Sequence, residues 1–186
     1  MNVRNRLRNL LICGVTVASS VACGVTVQSH PRQLATATSP RATSLAGPVT
    51  RLTNIFLVRG EKVVVSHRAV PDPVTVQRTV QALLNGPTTA EASHGLRSAI
   101  PGTLRLHRVR TLGSTAVIDL TTGLAAASSH EQELALAQLV YTVTAQAGID
   151  ALRVLVDGQR VEVARADGTL TNDDLTRGDY QSLVAS

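Results

Sequence analysis

Residues 1–51 leave this chain a short list of folds, because almost nothing in them can build a core. Arg4, Arg6 and Arg8 precede an apolar run from Leu10 to Ala18, and Ser20-Val21-Ala22-Cys23-Gly24 then brings small side chains up to a cysteine. Cations that stay on the cytoplasmic side, an apolar run that enters the translocation machinery and small residues that admit a signal peptidase are the parts of an export signal. Residues 1–22 are expected to be removed as a signal peptide, and the remainder to work outside the cytoplasm. Gly24 to Thr50 is rich in Ser, Thr, Ala and Pro with no sustained apolar period, so it cannot bury enough surface to offset the entropy of ordering. Residues 23–51 therefore read as a tether, with a reach of roughly 30 Å as a coil and about 90 Å when stretched. Folding is left to residues 52–186, a usual size for one domain around one core.

The surroundings of Cys23 resemble a bacterial lipobox, in which the cysteine thiol is joined to diacylglycerol and becomes the first residue of the mature chain. Ala22 and Gly24 fit that pattern, Ser20 stands where Leu is usual, and Cys13 fits less well because Ile12 precedes it. A plain secretory peptide and an uncleaved anchor spanning Leu10 to Val27 are the other readings. The resemblance implies fatty chains such as palmitate at Cys23, and attachment to the extracytoplasmic face of the cell membrane. Cys13 then leaves with the signal and Cys23 is consumed as a thioether, so no disulfide is available to the domain. Its stability must come from packing.

The formal net charge of +5 suggests an anionic partner, but six of the 18 basic residues (Arg4, Arg6, Arg8, Arg32, Arg41 and Arg51) precede Leu52. Twelve remain against all 13 acidic residues, so the domain is close to neutral. With only Phe56, Tyr141 and Tyr180 as aromatics it also lacks a base-stacking platform, which argues against nucleic acid.

Within the domain, Ile55–Val58 and Lys62–Val65 read as strands turning at Arg59-Gly60-Glu61. Asp72 with Pro73 opens a helix whose stripe is Val76, Val80, Leu83 and Leu84, closed by Asn85-Gly86-Pro87. Thr88 to Gly102 reads as compact and irregular, with Leu96 and Ile100 plugging the core. Leu104–His107 alternates as a strand, Arg108-Val109-Arg110 breaks the phase, and Gly113-Ser114 turns into a strand with Ala116, Ile118 and Leu120 on one face. Ser128 and Glu131 form a capping box for a second helix, with stripe Leu136, Leu139, Val140, Val143 and Ala147, ended by Gly148. Leu152, Val154 and Val156 alternate, Asp157-Gly158 turns, and Val161 and Val163 return. The order ββαββαββ predicts an α+β fold, a two-layer sandwich with two helices on one face of a mixed, mostly antiparallel sheet.

No constellation for catalysis or metal binding stands out. There is no G-x-S-x-G elbow, no phosphate loop, and no His or Cys pair at metal-ligand spacing. Glu131 and Glu133 suit a helix's first turn, and Asp173-Asp174 a turn or cap; calcium at Asp167 to Asp174 is disfavoured because the spacing does not match an EF-hand. Arg105, Arg108 and Arg110 form the local basic patch, which reads first as a solvated strand face.

Six blocks carry a family resemblance: Leu83–Thr88, Gly95–Pro101, Ala116–Leu120, Leu136–Thr142, Val154–Gly158 and Leu175–Tyr180. Together they resemble the GerMN domain of sporulation and spore germination proteins, from Leu52 to Tyr180. The resemblance implies a small α/β domain of bacterial envelope lipoproteins with no catalysis and no cofactor. Implied partners are the membrane, through Cys23, and an envelope assembly or signalling protein; self-association into rings is an analogy. Gln138 and Tyr141 are polar or amphipathic residues beside the helix stripe, open to a partner or to a core-edge hydrogen bond. With Arg105, His107 and Arg110 they make up the expected interaction surface. A lipoprotein binding peptidoglycan fragments or another wall glycan near Arg105–Arg110 is the alternative.

Overall fold

A computed structural model describes Gly47, residues 49–124 and residues 127–185. The export segment, Cys23 and the tether through residue 46 lie outside the described residues. The elements are β1 (Thr50–Arg59), β2 (Lys62–Pro71), α1 (Val76–Leu84), α2 (Thr89–Ser93), β3 (Leu106–Leu112), β4 (Thr115–Leu120), α3 (Ser129–Val143), β5 (Ala151–Val156), β6 (Gln159–Arg160), β7 (Val163–Ala164), β8 (Leu170–Thr171) and a closing 3-10 helix (Arg177–Leu183). The fold is α+β, as the pattern predicts, with α2, the β7–β8 pair and the closing helix added to the expected order. β1 begins at Thr50, so the expected boundary at Leu52 falls inside a strand.

The hairpin turns sit at the dipeptides that encode them. Two-residue loops close the pairs Arg59–Lys62, Leu112–Thr115 and Val156–Gln159. Asp157 (φ 48°) and Gly158 (φ 81°) both take left-handed backbone, the geometry that lets a tight turn follow the strand twist. β3–β4 and β5–β6 are antiparallel and β4–β5 parallel, so the sheet is mixed. The strands nonetheless form three sheets among the described residues, not one: β1–β2, β3–β4–β5–β6 and β7–β8.

Several boundaries move for local reasons. α1 is capped by Thr75, whose hydroxyl accepts from Arg78 N at 3.2 Å, and not by Asp72, whose carboxylate faces Arg51 at 3.4 Å. The segment expected to be irregular contains α2, opened by a reciprocal Thr88–Glu91 capping box. At α3, Ser128 accepts from Glu131 N at 3.4 Å, but the Glu131 carboxylate goes to Arg97 (2.8 and 2.9 Å) and does not close the box. That helix ends at Thr144, and tighter turns carry the chain to Gly148, with Gln146 N donating to Val143 O (3.1 Å) and Ile149 N to Gln146 O (3.2 Å). β3 starts later than expected, and its register shifts between Leu106 and Arg108. The expected return strand is split, because Val163–Ala164 leaves β5 to pair with Leu170–Thr171.

The largest departure is in α3. A single apolar stripe predicts a helix lying on one face of a sheet, yet every residue from Leu134 to Val143 is buried. The helix packs against β1, β2, α1, β5, β7 and the closing helix, as a segment apolar on most sides must. Two of its buried residues are polar, and both bind strand β1. Gln138 Nε2 donates to Phe56 O (2.9 Å), its Oε1 accepts from Ala99 N (2.7 Å), and Thr142 Oγ1 accepts from Phe56 N (3.0 Å). Two residues along, Val58 exchanges two 2.8 Å backbone bonds with Arg97. The edge of β1 facing away from β2 is thus completed by a helix and a loop, which is why the hairpin does not join the larger sheet.

Gln138→Leu keeps the volume but leaves Phe56 O and Ala99 N buried without partners. It is expected to lower the unfolding free energy by about 2–5 kcal/mol in urea titrations, with the urea dependence unchanged. A loss below about 0.5 kcal/mol, within the range of an ordinary surface change, would contradict this role.

Candidate functional site

The four-stranded sheet has one face in the core and one in solvent. Ala116, Ile118, Leu120, Leu152 and Val154 point inward and are buried. Strand alternation and register bring Arg108 beside Asp119 and Arg110 beside Val117 on the outer face, followed by Arg153 and Leu155 on β5 and Arg160 on β6. Arg153 is neutralised by Asp174 in a two-pronged pair (2.6 and 2.7 Å). The Asp174 carboxyl is held below its ordinary pKa, chiefly by that guanidinium and also by the Thr115 hydroxyl, against the opposing effect of burial. Asp119 accepts from Gly158 N at 2.8 Å, and Arg160 donates to Asn172 O at 3.0 Å. Arg108 and Arg110 enter none of the arginine ion pairs among the described residues. A hollow of about 170 Å³ lies between them, Val117, Asp119, Leu155 and Gly158.

The expected interaction residues do not come together. Arg110 lines this hollow, whereas the Arg105 guanidinium donates to Gly102 O (2.6 Å) and Leu104 O (3.0 Å) and borders a separate recess beside Leu84–Pro87. His107 sits at the register shift, 3.1 Å from Asp157. Gln138 and Tyr141 do not belong to a surface. Gln138 is fully buried, and Tyr141 packs on Phe56 (ring centres 5.4 Å apart), donates to Arg177 O (3.2 Å) and lies beneath the Arg177 guanidinium at 5.0 Å. Arg108, left out of the expected surface, is the residue that the tertiary structure adds. Its sequence signal was the i, i+2 spacing to Arg110; the missing information was where nearby carboxylates point.

Groups that could do chemistry are engaged elsewhere. His67 meets Asn54 (2.9 Å), His94 its own helix carbonyl at Ala90 (2.7 Å), and His130 meets Glu61 (2.7 Å). Among the described residues no three His, Cys, Asp or Glu side chains gather as a metal site. In the segment weighed for calcium, Asp167 binds Thr169 (2.9 and 2.6 Å) and Asp173 binds Thr171 (3.1 Å).

The six blocks act as joints. Leu83–Thr88 caps α1 and opens the turn to Glu91, whose carboxylate takes Arg68, Ser66 (2.7 Å) and Thr88 N (2.7 Å) and ties β2 to α2. Arg97 supplies the rung on β1 and the pair with Glu131. Leu175 exchanges backbone bonds with Leu152 (2.8 and 2.7 Å), and Tyr180 donates to Ala164 O at 2.7 Å. Burial, with Asp179 adding to it, pushes the Tyr180 hydroxyl pKa well up.

This architecture has known counterparts. A family model described as Germane, sporulation and spore germination, matches residues 54–162, more than half of the chain. The protein belongs to this family. Among solved structures, the first GerMN domain of the sporulation protein GerM from Bacillus subtilis is similar at 20% identity and TM-score 0.53, covering 69% of this chain and 99% of that one. The tandem GerMN domains of the same protein align at 20% identity and TM-score 0.55, covering 70% of this chain and 48% of that one. The chain thus spans about half the length of the tandem structure, and the likeness shows a shared GerMN fold. Comparison with curated proteins gives no match. The block Leu175–Tyr180 lies beyond the residues matched by the family model.

The Arg68–Glu91 joint makes a pH prediction. Burial raises the Glu91 pKa, but hydrogen bonds from Arg68, Thr88 and Ser66 outweigh it and bring it from 4.5 down to about 2. With both side chains 11% exposed, the ionised form contributes on the order of 3 kcal/mol. A depressed pKa stabilises fully above the unfolded value and is lost as pH falls from about 4.5 toward 2. Glu91→Gln is expected to be less stable than wild type at neutral pH and to converge with it near pH 2 in urea titrations. A constant difference across that range would contradict the assignment.

Proposed function

We propose that this protein is a non-enzymatic, lipid-anchored module on the extracytoplasmic face of the cell membrane. It acts by binding a protein partner in envelope assembly, signalling or sporulation. The observation that supports this best is how its polar groups are used. The described histidines, the capping carboxylates and the family blocks are engaged in joints of the fold, while Arg108 and Arg110, which enter no arginine ion pair among the described residues, sit together on the outer face of the larger sheet. Membership of the sporulation and spore germination family agrees with an envelope role. Among the described residues no helix is long and apolar enough to cross a membrane. Attachment through Cys23 therefore rests on the lipobox resemblance.

Wall-glycan binding has less support, since sugar faces stack on aromatic rings and Phe56, Tyr141 and Tyr180 are all buried. Soluble muropeptides titrated calorimetrically into the purified protein should give no heat of binding, and photo-crosslinking in intact envelopes should yield a discrete protein adduct. The opposite pair of results would favour the glycan reading.

The anchor is checked separately. Mass spectrometry of the mature amino terminus is expected to find acylated Cys23 as the first residue, with Cys23→Ala leaving the protein unacylated. An unmodified full-length amino terminus recovered from the cytosol would sink the proposal.

A further inference from the structure

We propose that the outer edge of β3 is a docking strip for an extended acidic segment of a partner protein, with Arg108 and Arg110 receiving carboxylates at alternate positions of that segment. The inference deepens the protein-interaction reading and rests on it.

Charge is the first support. The domain is balanced, with 12 basic residues against 13 acidic ones from Leu52 onward, yet this face carries Arg108, Arg110, Arg153 and Arg160 against Asp119 and Asp174. Asp174 is spent on Arg153, and Asp119 is turned to Gly158 N. Arg160 donates to Asn172 O, and Arg108 and Arg110 stand on positions i and i+2 of one strand, about 7 Å apart. Alternate side chains of another extended strand repeat at the same distance, so the two cations match two carboxylates spaced by one residue.

The backbone is the second support. β3 is an edge strand of its sheet, paired only with β4 among the described residues. A two-residue loop makes Leu112–Thr115 a hydrogen-bonded pair, and alternation then turns the N–H and C=O of Val109 and Thr111 away from β4. An added strand bonds to those groups while its side chains lie beside Arg108 and Arg110 on the outer face. The same cations disfavour basic or purely apolar strands, so the edge is guarded against general pairing and selective for an acidic one. Val117, only 3% exposed, and half-buried Leu155 give the hollow an apolar floor suited to glutamate methylenes. A phosphate polymer or anionic lipid surface has no use for the strand edge or that floor.

Fluorescence anisotropy on the detergent-solubilised full chain tests this with a labelled peptide alternating Glu and Thr, against a Lys-for-Glu control. Phosphatidylglycerol vesicles and poly(glycerol phosphate) serve as competitors. Wild type is expected to bind the Glu peptide, more weakly as salt rises, and to ignore the Lys peptide. Arg108→Glu with Arg110→Glu should cost about tenfold or more in affinity. Thr111→Pro, which removes an outward N–H and keeps both charges, should also weaken the peptide, with circular dichroism confirming the fold. Failure of wild type to bind, unchanged binding in the double variant, or displacement by the phosphate polymer or vesicles alone would overturn the proposal. If the envelope crosslink persists in the double variant, the interaction reading stands and this site falls; if wild type gives no crosslink, that reading itself fails.

Discussion

A helix buried on every side has to satisfy whatever backbone it shuts away from water. From Leu134 to Val143 α3 is such a helix, and it lies against Phe56, whose N–H and C=O point away from the partner strand β2. Buried amides without partners cost more than most single packing contacts supply, so this arrangement depends on hydrogen bonds from the helix itself. Gln138 and Thr142 provide them, four residues apart and therefore on one face of the helix. Gln138 also fixes Ala99, so one side chain joins a helix, a strand and the loop that carries Arg97.

The hairpin consequently stays a two-stranded unit, with its outer edge completed by side chains and by the Arg97 rung. The larger sheet turns Arg108 and Arg110 to solvent on its outer face, above a buried Val117. Polar groups near the joints are consumed in pairs such as Arg68–Glu91, Arg97–Glu131 and Arg153–Asp174, while Arg108 and Arg110 stay outside that accounting. The proposed docking strip uses this charge.

Much of the fold was legible because its signals are local. Turns at Gly60, Gly113 and Gly158 depend on backbone conformations that few residues adopt, and the Asn85-Gly86 stop depends on the same freedom. Caps were less secure, since Thr75 and Asp72 both suit that role and only the path of the chain chose between them. Glu131 had the right spacing for a capping box, but a guanidinium distant in sequence was the stronger partner. Gln138 and Tyr141 look alike in sequence whether they face a partner or the interior. Only the layers around α3 distinguish those cases.

The sequence by itself determined the class of fold, the order of its main elements, the family resemblance and the limit on where a core can form. The resemblance is carried by six short blocks, and the rest follows from periodicity, turn chemistry and composition, all properties of neighbouring residues. Tertiary structure decided that α3 is enclosed and not laid on a sheet, that the strands divide into separate sheets, and that Arg108 joins Arg110 as an unpaired cation. The reason is physical: burial and charge compensation are sums over groups brought together from distant parts of the chain, and those sums do not exist until the chain has folded.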